Sequence, residues 1–373
     1  MNKPVQLQSL RVRNFKAIAD SRTVKLTPLT VFIGHNGAGK SSLIEALETW
    51  QAIVCNGLDI AMQRWFGIEH ARHKGQEAKG RLDPITFDLA LGASPRKVSR
   101  VCMAVNSDPA ANQMEIVDEH VTIPGQPYIK LKHNQKERTK GRSMLTTPDK
   151  NVSEIAQHIH DWQFLTLAPE RMGVPVPQQR TGGGVRLARD GANIADFLLD
   201  LRRQDQNAYE GIVETMTYVL PYAKDLQPSL TSSEIERKTW LQLTEADFKV
   251  PGWMLSTGTL RLLALLALLR HPNPPPLIVV EEIENGLDPR SIHLIVEEIR
   301  NVVLDGTTQV LLTTHSPYLL DLLTLDHLVL VERNAKGLPI FHRTADNNSL
   351  IKWAEDFAPG RLYTMGSLTG DLS

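Results

Sequence analysis

The sequence predicts an α/β fold: a mixed or parallel sheet core flanked by helices, with an antiparallel β subdomain and a helical lobe. Three observations carry this. In the last third, apolar runs of strand length alternate with helical stretches, in the order "LIVVEE", helix 289–303, "QVLLTTH", helix 317–324 and "HLVLVER". That is the pattern of parallel strands joined by crossover helices. From about Leu82 to Leu131, the stretches "ITFDLALG", "RVCMAV", "QMEIVDEHVTI" and "YIKLKH" are separated by Asp-Pro, Ser-Pro, Ser-Asp-Pro and Pro-Gly turns, which fits an antiparallel sheet of short strands. Helical stretches recur at 151–160, about 190–220 and 256–270.

Taken in order, "LQSLRVRNF" alternates apolar and polar residues as a half-buried strand does, and "LTVFIG" is a continuous apolar run like a buried one. A helix over 40–53 follows, opened by a Gly-rich turn. After the antiparallel segment, a loop over about 132–150 carries "KHNQKERTKGR". "HPNPPP" reads as a short rigid turn, and there is no internal repeat or heptad run. The expected organisation is a single domain over 1–373 with three lobes: 1–150 with the Gly-rich turn and the antiparallel strands, a helical lobe 151–270, and a C-terminal lobe 271–373.

At 373 residues, 42% hydrophobic and 22% charged, the chain lies far from disordered and collagen-like compositions. A net charge of −1 argues against a wholesale nucleic-acid coat. Cys55 and Cys102 are too few for a disulfide framework and offer no metal-ligand spacing, which points to a reducing, cytoplasmic compartment. Charges break every apolar run before membrane-span length, so no membrane insertion is expected. Lys130, Lys132, Lys136, Arg138, Lys140 and Arg142 make a basic stretch interrupted by Glu137. It reads either as a solvated loop or as a contact for DNA or another polyanion, without the aromatics that base stacking needs.

Chemistry enters at "GHNGAGKS", Gly34 to Ser41, with the G-x-x-x-x-G-K-S spacing of a phosphate-binding loop after an apolar strand and before a helix. Glycines let consecutive N–H groups turn around phosphates, the helix N-terminus adds partial positive charge, Lys40 reaches the β and γ phosphates, and the Ser41 hydroxyl faces Mg²⁺. "LIVVEE" ends in Glu281 and Glu282. Carboxylates at the C-terminal edge of a buried parallel strand lie where open α/β sheets bind ligands, one suited to Mg²⁺ and the next to orienting a water as general base. "QVLLTTH" ends in His315, whose imidazole can hydrogen-bond a γ-phosphate or the attacking water. "LSTGTLRLLALLALLR" joins a small polar turn to a leucine-rich helix. Ser256 suits a helix cap, and with Gly258 it also suits a phosphate oxygen at a helix N-terminus.

Those motifs, with "LQSLRVRNFKAI", "RDGANIADFLLDLR", "EEIENGLDP" and "TTHSPYLLD", resemble the ABC-type ATPases. Within them the chain is similar to the group of SMC proteins, RecF and OLD nucleases, and most of all to its short bacterial AAA family ATPases. The resemblance implies a P-loop NTPase of ABC-ATPase type that uses ATP and Mg²⁺. Gly34, His35, Asn36, Gly37, Ala38, Gly39, Lys40, Ser41 and Ser42 then form the nucleotide loop, with Ser41 and Glu281 at the metal. Lys40, Glu282 and His315 are the catalytic set, and Asn285 to Pro289 the D-loop. Ser256 and Gly258 are the signature motif, which in this family meets ATP held by another copy, giving a homodimer or higher oligomer around sandwiched nucleotide. The resemblance further implies a switch that controls a separately encoded nuclease or toxin in anti-phage defence. A RecF-like DNA-repair clamp and a transporter's nucleotide-binding subunit are the alternatives.

The departures are specific. Glu281 stands where most ABC ATPases have Asp, and the signature is Ser-Thr-Gly-Thr rather than Ser-Gly-Gly-Gln. After "FLTLA", where a glutamine loop belongs, the chain reads "APERMG" with Glu170 and Arg171. The first half lacks a coiled-coil arm, and the stretch after His315 is too short for the nuclease domain of OLD proteins.

Overall fold

Alternating burial along Gln6–Phe15 seats that strand in an antiparallel sheet rather than beside the phosphate loop. In the computed structural model, which describes residues 5–77, 83–94, 97–108, 112–126, 129–130, 141–146, 150–180, 184–231 and 237–368, the chain divides into two units. The first comprises Met1–Trp162, Pro276–Val279 and Gln309–Ser373, the second Gln163–Pro275 and Val280–Thr308.

In the first unit, the antiparallel sheet runs Ile18–Asp20, Gln6–Phe15, Ile85–Ser94, Lys97–Asp108, Gln113–Thr122, Ile129–Lys130, with Val24–Lys25 also paired to Gln6–Phe15. Leu10 opposes Leu89, Val12 opposes Phe87, and the same face continues through Met103, Val101 and Val121. All of these are buried, because a pleated strand shows every second side chain to one face. The strands are longer than the apolar runs alone suggest: Lys97–Asp108 extends through polar residues at both ends, where the ladder continues on half-buried and exposed positions.

The second sheet of this unit is mixed. Leu29–Ile33 pairs in parallel with Gln309–Thr313 on one side and with Leu328–Arg333 on the other, and Pro339–Arg343 returns antiparallel along Leu328–Arg333. Leu277–Val280 follows Gln309–Thr313 in the order. Leu29–Ile33 and Gln309–Thr313 are buried at every residue, as strands covered on both faces must be. Gln309 spans the two sheets from inside: its carbonyl oxygen accepts from Leu7 N at 2.9 Å, and its amide donates to Leu7 O and Thr27 O at 2.9 and 3.0 Å.

Helix Lys40–Asn56 buries Leu43, Ile44, Leu47, Trp50, Ile53 and Val54, the spacing of one helical face. Near the basic stretch, residues 131–140 lie outside the described residues, while Arg142 is exposed. Just beyond it, fully buried Glu119 accepts from the Ser143 hydroxyl and from Met144 N. Glu119→Ala leaves both donors without this acceptor, so we expect a loss of about 2 kcal/mol of stability, seen as a lower melting temperature, and a smaller loss for Glu119→Gln.

The second unit carries helices Ile194–Gln204, Gln206–Val219, Thr257–Leu269 and Pro289–Leu304. Arg270 ties three of them: it bonds the Glu298 carboxylate at 2.6 and 3.1 Å, and Gly211 O and Thr215 Oγ1 at 2.8 and 2.7 Å. An antiparallel sheet of Ala223–Leu230, Lys238–Glu245, Phe248–Pro251 and Val176–Pro177 completes the unit. The sequence predicts no strand there. The signal is the alternation along Lys238–Glu245, with Thr239, Leu241 and Leu243 buried and their neighbours half-buried. No helix among the described residues is long and apolar enough to cross a membrane.

Candidate functional site

The predicted residues fall on both units, the phosphate loop and His315 on the first, and Glu281, Glu282, the D-loop and the signature on the second.

The loop Gly34–Gly39 leaves the buried end of Leu29–Ile33 and runs into a 17-residue helix. His35, Asn36, Gly37 and Ser41 are exposed, whereas Ala38, Gly39, Lys40 and Ser42 are buried. Gly34 has φ +147, and a Cβ there would stand 2.1 Å from Val331 O. Gly39 has φ +119, and its Cβ would meet Pro339 at 2.7 Å. Both glycines are therefore required by backbone geometry and by the hairpin packed against them. Lys40, 6% exposed, donates from Nζ to Gly34 O at 2.7 Å and His35 O at 3.2 Å. The ammonium is thus held inside the loop's own curve. No side chain caps the helix N-terminus, and its first-turn dipole favours an anion. These groups fit a nucleotide phosphate.

Two arrangements around the loop are not legible in the motif. Arg333 donates from Nε to Gly37 O at 2.8 Å and from Nη1 to Gly337 O at 2.5 Å, bracing the loop tip from the hairpin. Beside it, burial pushes the Glu332 carboxyl above its ordinary value, against the opposing pull of His342 and His35. On the other flank, Thr314 N donates to Phe32 O at 3.2 Å, which ties the end of the Gln309–Thr313 strand to the phosphate-loop strand and sets half-buried His315 next in the chain. Lys40→Ala is expected to weaken ATP binding by at least about tenfold through loss of charge-assisted bonds, read in a nucleotide titration; unchanged affinity would remove Lys40 from the phosphate site.

In the second unit, Glu281 is half-buried, its N–H bonds Leu165 O at 3.3 Å, and its Oε1 lies 3.5 Å from Thr166 Oγ1 and 3.7 Å from Arg189 Nη2. Thr166, rather than Glu170 or Arg171, is the residue this segment sets beside Glu281; Glu170 and Arg171 are exposed, and Arg171 pairs with Asp190 at 2.5 Å. Glu282 has φ +48, a left-handed backbone that costs a β-carbon residue about 1–2 kcal/mol. Its Oε2 accepts from Asn285 Nδ2 at 2.5 Å, which closes the turn that begins the D-loop.

Asp288 ends that loop by capping Pro289–Leu304, accepting from Arg290 N, Ser291 N and Ser291 Oγ. The Ser291 hydroxyl holds the Asp288 carboxyl below its ordinary value, with burial pulling the other way. Ser256 caps Thr257–Leu269 by accepting from Thr259 N at 3.1 Å, and is itself exposed. Gly258 stands against the D-loop: a Cβ on it would lie 2.3 Å from Gly286 O. Arg261 donates to Asn285 O at 3.0 Å and Leu167 O at 3.1 Å, so one guanidinium joins the leucine helix, the D-loop and the Glu170 segment. Burial lowers its pKa, opposed by Glu170 and Glu282. Among the described residues no three His, Cys, Asp or Glu side chains gather as a metal cage. The exposed Ser41 hydroxyl and the half-buried Glu281 carboxylate are each, on its own unit, the kind of hard oxygen donor that Mg²⁺ takes.

The family described as "AAA domain, putative AbiEii toxin, Type IV TA system" matches residues 130–321, and one described as "AAA ATPase domain" matches residues 6–51. The chain is 31% identical over 146 residues to "Nod factor export ATP-binding protein I" of Rhizobium etli, a match covering 39% of this chain and 41% of that protein. The chain therefore spans about two fifths of the length of such curated relatives. An SMC head bound to the C-terminal winged-helix domain of ScpA superposes with a TM-score of 0.57 at 13% identity, over 90% of this chain and 97% of that one. An SMC head with an extended coiled coil, bound to the C-terminal domain of ScpA derived from Pyrococcus furiosus, gives 0.56 at 11% identity, over 94% and 100%. The shared feature is the fold: an SMC-head-like α/β architecture of P-loop NTPase type, as the strand and helix order predicts.

Proposed function

The chain belongs to that AAA-domain family, and from this premise we propose that it is an ATP-hydrolysing switch of ABC type whose ATP-bound form is a dimer and controls a separately encoded effector, a nuclease or toxin, in anti-phage defence. The observation that carries the ATPase reading is the phosphate loop, with buried Lys40 curled into glycine-lined backbone at the uncapped start of a 17-residue helix. The family's toxin–antitoxin description supports the defence setting. The ScpA-bound state of similar SMC heads supports a partner protein.

In this reading the N–H groups of Gly34–Ser42 and the Lys40 ammonium bind and orient the phosphates. Ser41 and Glu281 are the residues that would hold Mg²⁺, which would neutralise phosphate charge there. Glu282 accepts the proton of the attacking water, and Asn285 holds the Glu282 carboxylate in place. His315 donates a hydrogen bond at the γ-phosphate. Ser256 reaches the ATP held by a second copy.

The decisive measurement is phosphate release from ATP by the purified chain, with and without Mg²⁺. No Mg²⁺-dependent turnover would sink the ATPase reading. The effector reading is tested by co-purification with neighbouring gene products, with and without ATP; recovery of a nuclease or toxin supports it. The likeness to a Nod factor export ATP-binding protein favours a second reading, an exporter's ATP-binding subunit, and recovery of a membrane permease would support that one instead. ATP-dependent DNA binding with a steep salt dependence, and no effector, would favour a RecF-like role.

A further inference from the structure

Helix Ile194–Gln204 holds the stretches that carry Gln179 and Val185 against it through two carboxylates. Asp196 Oδ2 accepts from Gln179 N and Asp200 Oδ2 from Val185 N, both at 2.9 Å, and Asp200 Oδ2 also accepts from Gln204 Nε2 at 2.8 Å. The chain entering strand Lys238–Glu245 joins them, since Gln178 N donates to Arg237 O at 3.0 Å. These three stretches bound a cavity of about 750 Å³ that lies wholly within the second unit. Its size is that of a small-molecule site.

Each stretch brings one arginine to the lining: Arg180, Arg203 from the helix, and Arg237. All three are exposed, and among the described residues none is in ion-pair contact with a carboxylate. Two aspartates share the lining, but their oxygens are engaged in holding the frame. Asp196 is buried, and burial pushes its carboxyl above its ordinary value, against the pull of the Gln179 N–H and the Arg203 charge. Three guanidiniums against two aspartates leave the lining cationic. Like charges gathered on one cavity repel one another, and a compact polyanion relieves that repulsion. The planar donor fork of arginine matches phosphate oxygens, and the side-chain amides of Gln178, Gln179 and Gln204 add neutral donors. No aromatic ring is among the described lining residues, so a stacked base has no platform. The arginines share a cavity rather than a linear track, which favours a compact ligand over a nucleic-acid strand. We propose that this cavity binds a small ligand of oligophosphate class through Arg180, Arg203 and Arg237. None of the three belongs to the nucleotide motifs.

The test is calorimetric titration of sodium tripolyphosphate into the full chain carrying Lys40→Ala, which weakens the phosphate loop as a competing site. Binding should persist in that background. Adding Arg180→Gln, Arg203→Gln or Arg237→Gln should weaken it about tenfold each, the loss expected for one charge-assisted bond. Arg203→Lys, which keeps the charge without the fork, should lose less. Because the three side chains are exposed, the glutamine variants should melt at the temperature of their parent, which separates lost binding from misfolding. ATP in place of tripolyphosphate distinguishes the source of the phosphates: tighter ATP binding that the same variants weaken assigns a nucleotide, and tighter tripolyphosphate binding assigns the free anion. If neither compound binds in the Lys40→Ala background, or if all three glutamine variants leave binding unchanged, the proposal is overturned. Duplex DNA that binds there and is weakened by the same variants, while neither phosphate compound binds, overturns it in favour of a nucleic-acid surface.

Discussion

Glu282→Gln should bind ATP as the wild-type chain does, hydrolyse it at least about 100-fold more slowly, and accumulate in ATP as a dimer visible by light scattering. The rate loss follows from removing a general base, which typically contributes two to four orders of magnitude. The binding should survive because the proposed phosphate contacts are with Lys40 and the loop, and the local fold should survive too. The glutamine oxygen can still accept from Asn285 Nδ2, which now bonds Glu282 Oε2 at 2.5 Å. The strained backbone at φ +48 is unchanged by a side chain of the same length. Trapping follows from the proposed dimeric switch, since a dimer glued by γ-phosphate would persist when the γ-phosphate is not cleaved. Glu282→Ala is the informative companion: it removes the base and the acceptor for Asn285 together, so a lower melting temperature should accompany the lost turnover. Wild-type turnover in Glu282→Gln would place the base elsewhere.

Local pattern is what the sequence makes legible. A fully buried five-residue strand, a glycine loop and a helix are contiguous, so the run from Leu29 to Ile53 is legible in the sequence, and the helix continues only to Asn56. The contacts that were not readable are long-range. Arg333 reaches Gly37 from the far end of the chain, and nothing in "LVER" marks it as a brace for the phosphate loop. "RDGAN" belongs to the family pattern, but the turn that Asn193 and Gly191 build, and the bonds it accepts from Thr166 N and Ala168 N, are not legible in its letters. The missing glutamine loop has a similar explanation. The sequence directs attention to Glu170 and Arg171 because they follow the strand, whereas the side chain beside Glu281 is Thr166, a residue with no motif of its own. The small sheet over 223–251 escaped because its strands are half polar, with Gln242 and Thr244 facing away from buried Leu241 and Leu243.

The signature turn shows the same division within three residues, and a pair of variants should separate its parts. Gly258 has a reason inside the monomer: a Cβ at that position would sit 2.3 Å from Gly286 O, a backbone atom with little freedom to retreat. Gly258→Ala should therefore push the leucine helix and the D-loop apart, at a cost of about 1–3 kcal/mol, and lower the melting temperature in the absence of any nucleotide. Ser256 is different. It is exposed, and its hydroxyl bonds Thr259 as a helix cap. Ser256→Asp keeps that cap, because aspartate caps as well as serine and its charge suits the helix N-terminus. It should melt at or above the wild-type temperature and bind ATP normally. If Ser256 meets the γ-phosphate of ATP on a second copy, however, the new carboxylate confronts phosphate charge directly. Ser256→Asp should then abolish the ATP-trapped dimer of Glu282→Gln and reduce turnover by about two orders of magnitude in the wild-type background, a loss comparable to removing one stabilising donor from a transition-state site. A dimer that persists in the Ser256→Asp, Glu282→Gln double variant would leave the turn as a cap alone and would take the sandwiched nucleotide out of the mechanism. Normal melting with no dimer would show that the small polar turn ahead of the leucines works between molecules, while its glycine works within one.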